Sequence, residues 1–158
     1  MKVLIVADSA YGNTWAVAGA IAEGFGGDAL ALRPEHVGPD DVRGLDLLFV
    51  GSPTQGGRPL AAVQAFVTGL PKDGLAGVDV GAFDTRVDAG AQSLPLRLLV
   101  NVIGYAAPKI GKALSARGGR LIAPPEGFMV EGKEGPLRAG ELERAAGWAR
   151  SLRTATVR

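Results

Sequence analysis

A chain of 158 residues with a formal net charge of +1 can bury a core without staples and carries no field that would draw it to nucleic acid or an anionic membrane. Cysteine is absent, which removes disulfides, thiolate catalysis and Cys-ligated metal centres, so any redox chemistry must come from a bound organic cofactor. The N-terminal apolar run stops at Asp8, too short for a signal peptide or a membrane span, and a cytoplasmic location is the default expectation.

Val3–Ala7 has the pattern of a buried strand and runs straight into Asp8-Ser9-Ala10-Tyr11-Gly12-Asn13-Thr14 at the start of a helix. A strand ending beneath a helix N-terminus aims unpaired N–H groups and the positive end of the helix dipole at one spot. That is a seat for a dianion, and it requires no cationic side chain. Tyr-Gly-Asn-Thr alone is also what an ordinary N-cap looks like. Val17, Ile21 and Phe25 share one face of the helix; Trp15 lies off it, as a flap beside a ligand or as a surface aromatic.

Further short apolar runs follow at Ala29–Leu32, Leu47–Gly51, Val78–Phe83 and Leu121–Ala123, the last continuing through Phe128–Val130. Leu60, Val63, Val67 and Leu70 give a second helical face, with Pro59 suited to its first turn. Leu94–Leu114 supplies a further helix broken near Gly104 and Pro108, and Ala145, Trp148, Ala149 and Leu152 form the apolar face of the last one. The segment Leu94–Tyr105 either packs on the core, the commonest role for such a run, or forms a weak homodimer face or a substrate entrance. Arg33–Asp41 reads as an exposed loop, and its His36, the single histidine, as a solvated residue rather than a base or metal ligand. No metal-ligand set stands out. No linker or repeat divides the chain, so residues 1–158 are expected to form one domain.

Strand and helix alternate, which argues for a doubly wound α/β domain with five parallel strands, since parallel strands need right-handed helical crossovers. In such sheets ligands bind beyond the carboxyl ends of the strands, where the winding reverses. Three loops rich in Gly and small polar residues should meet there: Asp8–Thr14, Gly51–Arg58 and Asp84–Gly90.

Ser9-Ala10-Tyr11-Gly12-Asn13-Thr14 resembles the phosphate loop of flavodoxins, and the Gly51–Arg58 and Phe83–Arg86 segments resemble that family's two flavin loops. The likeness spans nearly the whole chain and implies strand order 2-1-3-4-5 and FMN as cofactor. It assigns Ser9, Tyr11, Gly12, Asn13 and Thr14 to the phosphate. Pro53, Thr54, Gln55 and Gly56 would flank the ring on one side, with Asp84, Thr85 and Arg86 on the other. It also implies that the Gly56–Gly57 peptide reorients as the flavin N5 gains a proton; a tight turn needing positive φ explains the same glycines.

The chain departs from the family pattern in three ways, the mildest being Tyr11 in place of the usual small hydroxyl of the phosphate loop, where backbone N–H groups supply most of the cradle. Gln55 stands where the first ring-stacking aromatic is usual and Arg86 or Val87 near the second, so FMN should be held less tightly, each stack being worth about 1 kcal/mol, unless Tyr11, Trp15 or a partner compensates. Carriers of this family are usually strongly acidic, whereas this chain is nearly neutral. Arg58 and Arg86 near the ring would ease its full reduction, unless they point to solvent or pair with Asp84 and Asp88.

The resemblance implies an electron carrier between a reductase and an acceptor, with no catalytic residue of its own. The alternative is an FMN-dependent reductase of quinones or nitro compounds that takes NAD(P)H directly, its non-aromatic flanks leaving room above the ring. A phospho-receiver needs clustered acids after the first strand, and only Asp8 is there. Neither G-x-G-x-x-G nor a Walker G-K-[ST] loop is present. A flavin-free binding module remains as the fourth option.

Overall fold

β1 (Val3–Ala7) is buried along its whole length, the outcome expected of an unbroken apolar run that faces protein on both sides of a sheet. It lies between β2 (Leu30–Leu32) and β3 (Leu47–Pro53), in parallel register with both. The computed structural model describes residues 1–27, 29–88, 90 and 93–156. β4 (Asp79–Val87) continues the sheet beside β3, and β5 (Arg120–Leu121) and β6 (Glu126–Val130) both pair in parallel with β4. The order is β2-β1-β3-β4-β5, with β6 beside β4 beyond β5, as the resemblance implied.

Side chains alternate across the sheet into two cores. Val3, Ile5, Leu47, Phe49 and Phe83 meet α1 (Asn13–Phe25) and α6 (Glu141–Thr156) on one face. Leu4, Val6, Leu48, Val50 and Val80 meet α3 (Ala61–Thr68) and α5 (Ala106–Ala116) on the other. Helices α1 and α6 touch through Gly24, where a Cβ would lie 2.6 Å from that of Ala149 and would collide with the Ala146 carbonyl. Trp148 sets its edge against Phe49, with centroids 5.3 Å apart, and Ala145, Ala149 and Leu152 are buried beside it.

Four expectations change. The fifth strand is split: Pro124 and Pro125 offer no N–H to a ladder, and the register against β4 slips by two residues between β5 and β6. β4 runs on past Phe83, because Asp84–Val87 pair with β6 and, through Asp84 and Thr85, with Ser52 and Pro53 of β3. The expected third loop is therefore mostly strand; its Ala89 lies outside the described residues. Pro59 precedes α3 instead of opening it. Leu60 is the extended N-cap, and its N–H donates to Ser52 Oγ (2.8 Å). The Arg33–Asp41 segment holds a 3-10 turn, Pro34–His36, and the short helix α2 (Pro39–Val42), while His36 is exposed as expected.

The long helical stretch is two helices. α4 (Leu94–Ile103) stops at Gly104, whose φ of +81° only glycine adopts readily, and α5 takes Pro108 into its first turn. No residue of α4 is buried; Leu94, Leu98 and Val102 are 62%, 58% and 85% exposed. Core packing is thus not its role, because α5 already covers that face with Ala106, Ala107, Ile110 and Leu114. Among the described residues, no helix is long and apolar enough to cross a membrane.

Candidate functional site

The carboxyl ends of β1, β3, β4 and β6 open together onto one cleft of about 420 Å³, within the range of small-molecule sites. Its position follows from topology. The chain leaves β1 toward β2 on one side and returns to β3 on the other, so the loops after β1 and β3 diverge and leave a crevice.

At the β1 end, Gly12 takes φ +91° and serves as N-cap of α1, with no side chain capping the first turn. Asn13 and Thr14 are helical residues, so the plain N-cap explanation for them fails. Ser9 Oγ accepts the Gly12 N–H (2.9 Å), and the Ser9 N–H donates to Asp8 Oδ1 (2.9 Å). Arg33 reaches the same Asp8 oxygen at 3.2 Å and lies over the Trp15 ring at 4.8 Å. Trp15 is consequently a half-buried aromatic on the core, outside the cleft lining. The amides of Ala10, Tyr11, Asn13 and Thr14 have no acceptor among the described residues. They are free donors at the positive end of a helix, the kind of group that binds phosphates.

The β3 loop is a two-residue hairpin. Gln55 and Arg58 exchange N–H···O bonds of 2.9 and 3.0 Å, and Gly56 and Gly57 take φ of +58° and +75°, the type I′ turn that glycines favour. The tight-turn explanation of these glycines holds. A Cβ on Gly57 would collide with Ile103, and Lys109 Nζ donates to the carbonyls of Gly57 and Ile103. Thr54 joins the neighbouring segments: its N–H donates to Thr85 O (2.9 Å) and its Oγ1 accepts the Ala106 N–H (3.0 Å).

At the β4 end, Asp84 is fully buried. Its two oxygens accept Arg86 Nε and Nη2, both at 2.7 Å, and Oδ2 also takes the Ala107 N–H at 2.8 Å. The guanidinium lies 3.6 Å from the centroid of Tyr105 and over Gly127, where any Cβ would strike it. Thr85 points to the opposite face of the sheet, where its Oγ1 is 2.7 Å from that of Thr14, so the β4 end and the first turn of α1 are joined by a buried hydroxyl pair. Farther along, the Gly90 N–H and then the Arg138 guanidinium hold Asp88 below the usual carboxylate range.

Of the residues expected at this site, Tyr11, Asn13, Thr14, Pro53, Thr54, Gln55, Gly56, Thr85 and Arg86 line one cleft. Ser9 and Gly12 lie just behind, bonded to each other, and Asp84 sits beneath Arg86. Arg58 is a correction: the hairpin turns it away to line a separate groove between α3 and α5. Arg86 is at the cleft, but Asp84 offsets its charge, so neither arginine gives the ring site the net positive field expected of them. Among the described residues of the lining, Tyr11 is the one aromatic. Residues not expected are Ala10, Val130 and Lys133. The run Phe128–Val130 was the available signal for the last two, since a strand ending there carries its following loop to the same edge. Among the described residues, no group of three or more His, Cys, Asp or Glu side chains could hold a metal ion.

No family model matches the sequence, and no curated protein matches it either. The fold has many solved counterparts. A flavodoxin from the domain Archaea superposes with a TM-score of 0.76 at 20% identity, over 100% of each chain. The two-electron reduced flavodoxin of Megasphaera elsdenii gives 0.66 at 26% identity, over 94% of this chain and 98% of its own. A flavodoxin, WrbA-like protein from Agrobacterium tumefaciens gives 0.70 at 19% identity, over 99% and 98%. In its sheet order and its flanking helices, this chain has the flavodoxin-like α/β fold.

Proposed function

We propose that the chain binds FMN in this cleft and works as a cytoplasmic electron carrier of flavodoxin type between a reductase and an acceptor protein. The observation that carries the reading is the set of acceptor-free amides at Ala10, Tyr11, Asn13 and Thr14, joined in one cleft to the Pro53–Gly56 and Thr85–Val87 segments. The donor set suits a phosphate monoester, and the two segments, joined by the bond from Thr54 N–H to Thr85 O, supply non-aromatic surface for a flat, largely apolar body. When bound, the flavin supplies the redox chemistry.

The chain's own work is positioning. The free amides hold the phosphate, while Ser9 Oγ takes up the Gly12 N–H and fixes the loop. Thr14 and Thr85 tie the phosphate end to the wall beside β4. Lys109 clamps the Gly56–Gly57 turn against the α4–α5 junction, which keeps the β3 loop rigid. Asp84 holds Arg86 flat on Tyr105, so a polar wall is built without a free charge.

One feature favours the second reading, direct reduction by NAD(P)H of an FMN that then reduces quinones or nitro compounds. Pro53, Thr54, Gln55 and Val87 make low, non-aromatic flanks, and a nicotinamide needs an open flavin face. Mixing reconstituted protein with NADH or NADPH in the absence of oxygen separates the two. A carrier leaves the flavin absorbance unchanged over minutes and is reduced only when a flavoprotein reductase is added. Bleaching within seconds by the nucleotide alone would replace the carrier reading with the reductase.

A further inference from the structure

β6 does not end in a free loop. Arg138 N donates to Met129 O (2.9 Å), Glu131 N donates to Pro136 O (2.9 Å), and Val130 pairs with Leu137. These bonds fold the chain back as a hairpin whose tip is the turn Gly132-Lys133-Glu134-Gly135, closed by a 3.0 Å bond from Gly135 N to Gly132 O. The tip is fastened to the phosphate end of the cleft. Asn13, the first residue of α1, donates from Nδ2 to Glu134 O at 3.1 Å. Gly135 lies against the same amide so closely that a Cβ there would be 2.7 Å from Nδ2 and 2.9 Å from Oδ1. Lys133 is thereby placed at the cleft wall with Ala10, Tyr11 and Asn13.

Two cationic side chains line the cleft, Arg86 and Lys133. Arg86 is neutralised by the buried Asp84. Lys133 has no hydrogen-bond or ion-pair partner among the described residues, its neighbour Glu134 included, whereas Glu131 and Asp88 are both taken by Arg138. Asp8, the carboxylate beneath the loop, is paired with Arg33. Among the described residues lining the cleft, Lys133 is therefore the one cation without a carboxylate partner; Glu134 beside it on the turn also lacks an ion pair, and Arg138 is shared by Glu131 and Asp88. An ammonium beside the free amides of α1 attracts a dianion held there through partly screened water and loses that attraction as salt is added.

We propose that Lys133 completes the phosphate site: it pairs with the phosphate monoester held by the amides of α1 and makes this protein's choice of the phosphorylated over the unphosphorylated flavin depend on charge. The proposal rests on the FMN reading and adds a residue and a salt dependence to it. Lys133 is exposed, so its replacement leaves folding intact, which an unchanged urea transition of each variant verifies.

The experiment compares dissociation constants of FMN and riboflavin, from flavin fluorescence, for the wild type, Lys133→Gln and Lys133→Arg at low and high salt. Lys133→Gln is expected to weaken FMN about tenfold at low ionic strength, to leave riboflavin unchanged and to flatten the salt dependence; Lys133→Arg is expected to restore most of the loss. Equal loss of FMN and riboflavin would overturn the proposal, since Lys133 would then act on the ring or the fold. An unchanged FMN affinity and salt slope would overturn it as well, leaving Lys133 in solvent and the FMN reading standing. A wild type that binds neither flavin ends the FMN reading and the Lys133 proposal together.

Discussion

Arg86→Ala is expected to cost about 3–5 kcal/mol of folding stability, because it leaves the Asp84 carboxylate buried without its cation. Asp84 has no solvent exposure and Arg86 little, its side chain being 16% accessible. The Ala107 N–H would remain as the carboxylate's single donor, and one neutral amide does not replace two charge-assisted bonds. Removing both charges tells the pair from the packing: Asp84→Asn combined with Arg86→Met should recover a large part of the loss, as buried pairs replaced by neutral groups often do. Urea denaturation of the three variants reads the difference. A loss below about 1 kcal/mol for Arg86→Ala would mean that the carboxylate takes up a proton or finds water, and that the pair is not what holds the β4 end against α5.

Ala10→Asp is expected to lower FMN affinity by about ten- to hundredfold while leaving riboflavin binding unaltered. Ala10 is exposed and lines the cleft beside Tyr11 and Asn13. A carboxylate there sits within a few ångströms of the phosphate position, where like charges cost about 1–3 kcal/mol at a partly solvated site. The same carboxylate lies near the positive end of α1, so it should hold stability constant or raise it slightly. The two effects have opposite signs, which keeps a binding loss from being mistaken for unfolding. Flavin fluorescence titration beside thermal melting checks both. Equal weakening of the two flavins would place the phosphate elsewhere.

The parts of this fold that could be read from residues are those where one physical signal acts alone. β1 matches its expected bounds because Val3–Ala7 is apolar on both faces and Asp8 ends it. The Val17–Ile21–Phe25 face of α1 and the Ala145–Leu152 face of α6 are where the helical period put them. The misreadings lie where two signals compete. Asp84, Thr85 and Arg86 look like loop because they are polar, yet they are strand, since the acid and the base neutralise each other and the threonine meets Thr14. The apolar run of α4 looks like core, yet that face of the sheet was already covered by α5, a fact of three-dimensional order that hydropathy does not carry. Pro124 and Pro125 stand out in the sequence as breakers, but that strand pairing resumes beyond them at Glu126 depends on β4 being long enough to meet it.

The site divides in the same way. The donor loop before α1 and the glycine turn after β3 were visible because backbone geometry demands Gly12, Gly56 and Gly57 where they stand. Arg58 was misplaced because a type I′ turn reverses the chain within two residues and sends the fourth to another groove. For Lys133 the strand run Phe128–Val130 pointed only to the edge of the sheet, not to the cleft wall. Only the hairpin that folds back on β6 and fastens to Asn13 brings it to the cleft.

The measurement that bears hardest on this account is an absorbance titration of the purified protein with FMN and, separately, with riboflavin. The account predicts a perturbed flavin band that saturates at one FMN per chain, and riboflavin binding weaker by about a hundredfold or more, the loss expected when a charge-assisted donor set goes empty. Riboflavin bound as tightly as FMN, or no change in the flavin band at any concentration, would contradict it.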